Sequence, residues 1–193
     1  MTEIKRGICA IQSNDCILGT GFYIGNGRII TAVHVVENQE ELEAVFMEID
    51  GEVHNYKVEP QTEQPDIDIS ILSVKADDLL ESVIINYDFS KVLVGSLFCT
   101  YGYPGEKMSR GSRIDGKVLN EHDGFQIADY NIDLEVTEGI LEDYSGLSGA
   151  PVIIEERAVG ICTYQDKKQL EMIEFHKYKE ELQGCLDSEI SQN

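Results

Sequence analysis

Ser148 stands in the stretch DYSGLSGAPV, with Gly146 two positions before it, Gly149 directly after it and Pro151 beyond. Glycine loses more conformational freedom on folding than any other residue, so two of them around one serine must meet a backbone need. Gly, Ser and Pro also build ordinary surface turns, and taken alone the stretch fits that use. The sharper reading is a nucleophile on a tight turn, where small neighbours let backbone N–H groups point at an oxyanion beside the hydroxyl. Such a serine needs a base and a group that orients the base. Of His34, His54, His122 and His176, His34 stands apart, because it follows an apolar strand in GRIITAVHVV with the small Thr31 and Ala32 close before it. The acidic candidates are Asp66 and Asp68 in PDIDISILSV. A carboxylate there can guard a strand end or orient an imidazole.

Other chemistries find little support. The histidines are isolated, with no HExxH and no Cys/His cluster, so no metal and no cofactor are expected. Five cysteines (Cys9, Cys16, Cys99, Cys162 and Cys185) are odd in number and lack CxxC spacing, which argues against a disulfide framework. None sits in a small-residue turn like that of Ser148, which argues against a cysteine nucleophile. With 36 acidic and 15 basic residues the formal net charge is −21, which repels phosphate backbones and anionic lipid. Nucleic acid and membrane surfaces are therefore not expected partners. MTEIKRGICAIQSND lacks the apolar run of a signal peptide and no stretch is long enough to span a bilayer, so the chain reads as cytoplasmic.

The elements that must position these residues are short strands. GICAI, CILGTGFYIG, GRIITAVHVV, LEAVFMEI, DISILSV, VGSLFCTYGYP, RIDGKVLN, NIDLEV, APVII and AVGICTY are apolar or alternating runs, most of them bounded by turn residues. Asn26-Gly27 predicts a hairpin, and a second is expected in IIEERAVGI with Glu155, Glu156 and Arg157 at its turn. The acidic, irregular segment ADDLLESVIINYDFS predicts a connection between two halves. QDKKQLEMIEFHKYKEELQGCL is rich in helix formers and spaces Phe175, Tyr178, Leu182 and Leu186 helically, predicting an amphipathic helix that ends near Gly184. Its apolar stripe fits docking on the chain's own barrel. The resulting division is 1–80, carrying His34 and Asp68; a connection at 81–92; 93–165, carrying Ser148; and a helix and tail at 166–193.

The order His34, Asp68, Ser148 in an all-β pattern matches one of several orders used for Ser-His-Asp chemistry. Through GTGFYIGNGRIITAVHVV, DIDISIL, YGYPG and GLSGAPV followed by AVGICTY, roughly residues 15 to 165, the chain resembles the trypsin-like serine peptidases of chymotrypsin fold. It is most similar to the compact bacterial type with an HtrA-like catalytic domain. The resemblance implies an all-β fold of two antiparallel, six-stranded barrels with the site in the cleft between them, here followed by a C-terminal α-helix.

The resemblance also implies roles. His34 is expected as general base, Asp68 as the orienting acid with Asp66 in reserve, Ser148 as nucleophile, and the N–H groups of Gly146 and Ser148 as the oxyanion hole. Thr163, Tyr164 and Gln165 match the strand that pairs with substrate backbone. Glu142, six residues before Ser148, lies where the family often sets the floor of the specificity pocket, and an acid there would favour Arg or Lys before the scissile bond. The chain departs from secreted members at Leu147, where they commonly carry an Asp that pairs with a newly cleaved N-terminus, and at Ala150, where Gly is more usual. The implied activity is endopeptidase cleavage of a protein substrate. In place of zymogen cleavage, restraint is expected from a loop at 139 to 147 that is mobile until a protein partner or substrate orders it. The competing expectation is a catalytically silent barrel kept as a protein-binding module.

Overall fold

The computed structural model describes residues 4–49, 52–75, 80, 92–105, 110–121, 132–166 and 169–187. Among them the apolar runs become twelve strands in two closed antiparallel barrels of six. The first contains β1 (Ile8–Ser13), β2 (Cys16–Gly25), β3 (Arg28–Ala32), β4 (Leu42–Ile49), β5 (Glu52–Gln64) and β6 (Ile69–Val74), hydrogen-bonded in the order β1-β2-β3-β6-β5-β4. A one-turn helix, α1 (Val33–Val36), follows β3. The second contains β7 (Leu97–Gly102), β8 (Ser112–Glu121), β9 (Ile132–Glu138), β10 (Pro151–Ile154), β11 (Arg157–Asp166) and β12 (Gln169–Glu174), in the order β10-β11-β12-β9-β8-β7. Closure leaves no long unpaired strand edge in either sheet among the described residues.

The turn chemistry is local. Asn26 and Gly27 both have positive φ, 52° and 68°, and join β2 to β3. Glu155 and Glu156 also have positive φ, 49° and 66°, and join β10 to β11, while Arg157 already belongs to β11. Glutamates reach this region less readily than Asn or Gly, so pairing of the flanking strands holds them there.

Each barrel has its own apolar filling. Phe22, Ile29, Phe46 and Leu72 are wholly buried in the first, and Ile114, Val152, Cys162 and Met172 in the second. Each fully buried aliphatic or aromatic side chain contributes about 1.5–3 kcal/mol. Side chains alternate along β11 and β12. Cys162 and Met172 enter the second core, whereas Ile161 and Ile173 join Tyr103, Ala158 and Phe175 against the first barrel.

The C-terminal segment differs from the helix expected over the whole of it. Gln169–Glu174 is β12, which pairs with β11 and β9 and closes the second barrel, so that barrel runs past residue 165. Leu170 through Glu174 are all buried, and two-sided burial between core and neighbouring barrel outweighs their helix propensity. A 3-10 turn (Phe175–Tyr178) and then α2 (Lys179–Asp187) follow, so the helix continues past Gly184. Phe175 and Leu182 are buried in the first-barrel cluster and Tyr178 packs against it. The connection expected at 81–92 lies outside the described residues except for Val92, as do His122 and the final residues 188 to 193. No helix among the described residues is long and apolar enough to cross a membrane.

Candidate active site

His34 and Asp68 meet because β3 and β6 are antiparallel neighbours, with Ala32 opposite Ile69 and Thr31 opposite Ser70. The chain leaves β3 directly into α1, whose Val33, Val35 and Val36 are buried while His34 points outward. Asp68 precedes β6, after a 3-10 turn (Pro65–Ile67), in left-handed conformation at φ 50°, ψ 36°. A short helix exposes N–H groups that lack intrahelical partners, and Asp68 supplies them. Its backbone carbonyl accepts from the Val33 N–H at 3.2 Å, and its Oδ1 accepts from the His34 N–H at 2.9 Å. Its Oδ2 lies 2.6 Å from His34 Nδ1. Asp66 is exposed, two residues earlier in the same turn.

This grip bears on the tautomer of the imidazole. An ionised carboxylate only accepts hydrogen bonds, so neutral His34 carries its proton on Nδ1 and presents Nε2 as the basic nitrogen. The Asp68 carboxyl is 10% exposed and the His34 side chain 42% exposed, so the acid is sheltered and the outer face of the ring reaches solvent.

The turn from Tyr144 to Ala150 is anchored by its apolar residues. Leu147 is fully buried in the second core beside Tyr144 and Leu141, occupying with a side chain the position where an acid would need a buried partner. Gly146 has φ +92° and Gly149 has φ +83°, conformations that suit glycine. At Gly149 a Cβ would stand 2.2 Å from the Thr20 carbonyl oxygen and 2.4 Å from Thr31 Oγ1, so only a hydrogen fits between turn and first barrel.

Two N–H directions follow from peptide planarity. In a trans peptide the N–H points opposite to the carbonyl of the preceding residue. The Ser145 carbonyl accepts from the Gly105 N–H at 2.8 Å, which turns the Gly146 N–H the other way. The Leu147 carbonyl accepts from the Ala150 N–H at 2.8 Å, which orients the Ser148 N–H likewise. The loop at 139 to 147 is tied in this conformation at further points. Ser145 donates to Asp143 Oδ1 through N–H at 2.9 Å and Oγ at 2.6 Å, and the Leu147 N–H donates to the Tyr144 carbonyl at 3.0 Å.

The two barrels meet at this turn. The Thr20 N–H donates to the Ser148 carbonyl at 2.8 Å. Val35 and the Ser148 carbonyl both lie against Gly19, 2.6 and 2.9 Å from where its Cβ would be, which brings the Ser148 backbone and the Val35 side chain of α1 to the same glycine. Ser148 is 5% exposed. Thr20 and Gly105 are positioning groups that the sequence reading does not identify; the cue it offers is a Thr between two glycines in GTGF.

The remaining expected residues fall in two places. Thr163, Tyr164 and Gln165 lie on β11, with Thr163 buried at 2% exposure. The Cys162 N–H donates to the Ala150 carbonyl at 2.7 Å, and its carbonyl accepts from the Gly149 N–H at 2.8 Å. By the period of two, the Tyr164 backbone faces the same side, past the end of the β10 pairing at Pro151–Ile161. Glu142 is exposed on the loop leading to Ser148. Burial raises the thiols of Cys9 and Cys162, the latter to about 12 against a lowering hydrogen bond to Thr100, so both behave as neutral core groups. Among the described residues no group of three or more His, Cys, Asp or Glu could hold a metal ion.

A family model described as a trypsin-like peptidase domain matches residues 19–161. No curated protein matches the chain. Among solved structures, an inactive mutant form of Rv3671c from M. tuberculosis is similar with a TM-score of 0.72 and 15% identity, over 97% of this chain and 90% of that one. The apo MamO protease domain from Magnetospirillum magneticum gives 0.72 and 13% identity, over 93% of this chain and 97% of that one. A further inactive form of the Rv3671c protease gives 0.70 and 18% identity over 97% and 90%. At these identities the likeness is one of fold.

Proposed function

The chain belongs to the trypsin-like peptidase family, and on that premise we propose that it is a serine endopeptidase acting on protein substrates through an acyl-enzyme on Ser148. The observation that carries the proposal is the two-oxygen grip of Asp68 on α1, at 2.9 Å to the His34 N–H and 2.6 Å to Nδ1, beside the end of β3 where Thr31 and Ala32 abut Gly149 of the Ser148 turn. His34 Nε2 takes the Ser148 Oγ proton as the oxygen bonds to the substrate carbonyl carbon, and Asp68 stabilises the imidazolium that forms. The negative charge on the former carbonyl oxygen falls to the N–H groups of Gly146 and Ser148. Each such donor is worth on the order of 10²–10³ in rate. His34 then protonates the leaving amine, the C–N bond breaks, and water enters by the same steps to release Ser148.

Substrate adds as a strand along the Tyr164 backbone, with Thr163 and Gln165 beside it and Glu142 favouring a basic residue before the scissile bond. Regulation by a protein partner or substrate, in place of zymogen cleavage, fits a turn with Leu147 and no acid to receive a new N-terminus. The test is labelling with a fluorophosphonate probe, which phosphonylates an activated serine. Wild type is expected to label and Ser148→Ala is not, and a mixed peptide library is expected to show enrichment of Arg or Lys before the cut. Absence of Ser148-dependent labelling would overturn the proposal in favour of a silent binding module.

A further inference from the structure

One buried side chain in the first barrel reaches the turn that carries Ser148. Thr20, on β2, is wholly buried; its hydroxyl and its N–H are engaged across the barrel junction, and its carbonyl within the first barrel. Its Oγ1 donates to the Gly146 carbonyl at 2.6 Å and accepts from the Tyr103 N–H at 3.1 Å. Its N–H donates to the Ser148 carbonyl at 2.8 Å, and its carbonyl accepts from Thr31 Oγ1 at 2.7 Å. A hydroxyl has a single proton to give, and here it goes to Gly146.

The Gly146 carbonyl belongs to the peptide that lies between the Gly146 and Ser148 N–H groups. Glycine resists rotation of that peptide weakly, because both signs of φ are open to it. The Leu147 N–H at the other end of the same peptide donates to the Tyr144 carbonyl at 3.0 Å. The peptide is thus held at its oxygen by Thr20 and at its nitrogen by the turn. We propose that Thr20 is a positioning residue: its hydroxyl clamps the Gly146 carbonyl from the opposite barrel and so fixes the direction in which the two N–H groups converge. It touches no reacting atom. With Leu147 buried as an apolar anchor, the clamp does across the barrel junction what a charged pair cannot do at that position.

The catalytic half of this inference rests on the peptidase reading of the site, whereas the clamp itself is a property of the fold. Thr20→Val removes the hydroxyl at nearly constant size, Thr20→Ser restores it, and Thr20→Ala removes the same donor if the valine variant does not fold. Ser13→Ala is the control, because it deletes another buried hydroxyl contact of the first barrel, Ser13 to the Glu40 carbonyl at 2.7 Å, that involves neither Thr20 nor the Ser148 turn. Two readouts are taken: kcat and KM on a peptide substrate, and hydrogen exchange of segments covering 139 to 150.

A displaced donor forfeits part of its full worth, so Thr20→Val should lower kcat about 10- to 100-fold with KM within about threefold. Exchange of the loop should quicken at least about tenfold, with Thr20→Ser and Ser13→Ala near wild type in both readouts. Unchanged exchange or unchanged kcat in an active protein would overturn the clamp, as would a serine variant as damaged as the valine one. If wild type shows no turnover while the loop loosens in Thr20→Val alone, the peptidase reading falls and the clamp stands.

Discussion

Asp68→Asn separates the orienting role of the carboxylate from its place in the fold. The residue sits at φ 50°, ψ 36°, a left-handed conformation that Asn adopts readily, so the backbone accepts the change. Asparagine offers one oxygen and one NH2 where aspartate offers two oxygens. The His34 N–H, 2.9 Å from Oδ1, can only donate and therefore holds the amide oxygen on its side. The NH2 then faces Nδ1, 2.6 Å from Oδ2 in the native protein, and demands that Nδ1 accept. That selects the tautomer with its proton on Nε2, which cannot take the Ser148 proton. The expected loss in kcat at neutral pH is on the order of 10³–10⁴, about 4–5.5 kcal/mol of barrier at 1.36 kcal/mol per factor of ten. Thermal stability should fall by no more than about 2 kcal/mol, the scale of the hydrogen bond to Nδ1. Steady-state hydrolysis and thermal melts of Asp68→Asn and Asp66→Asn settle the matter. The reasoning is refuted if Asp68→Asn keeps activity within tenfold, roughly one decade of barrier, or if the exposed Asp66 proves equally sensitive.

Gly149→Ala places a methyl against the Thr20 carbonyl at 2.2 Å in a residue at φ +83°. Left-handed strain of about 1–2 kcal/mol and overpacking of about 1–3 kcal/mol predict a loss of about 2–5 kcal/mol, read by urea or thermal unfolding; a loss below about 1 kcal/mol would show that the turn yields. The Cys162 thiol, raised by burial from 9.0 to about 12, remains protonated in the folded chain at pH values where the unfolded chain releases its proton. Its contribution is fully present below about pH 9 and is lost as the pH climbs toward 12. Wild type should therefore lose more stability than Cys162→Val between about pH 8 and pH 11, measured by urea midpoints, and parallel losses would refute the assignment.

The hairpins and the halves that hold His34 and Ser148 were legible because they rest on short-range rules. Asn26-Gly27 can turn with positive φ whatever surrounds it, and an apolar run bounded by turn residues is a strand in most contexts. LEMIE was misread as helix because its propensity is local, whereas its burial against β11, β9 and the first barrel is not. The choice between Asp66 and Asp68 was likewise beyond local reading. Both lie in one turn of PDID, and only the register of β3 against β6 directs Asp68 toward α1.

The sequence by itself determined the inventory: an all-β chain, one serine in a turn that needs glycines at 146 and 149, one histidine at the end of an apolar strand, and a buried leucine's chemistry where an acid would carry charge. Tertiary structure alone decided which atoms face one another. Directions of N–H and C=O groups are set by bonds between segments far apart in the chain, such as Thr20 to Gly146 and Gly105 to Ser145, and no residue type encodes the partner it will meet.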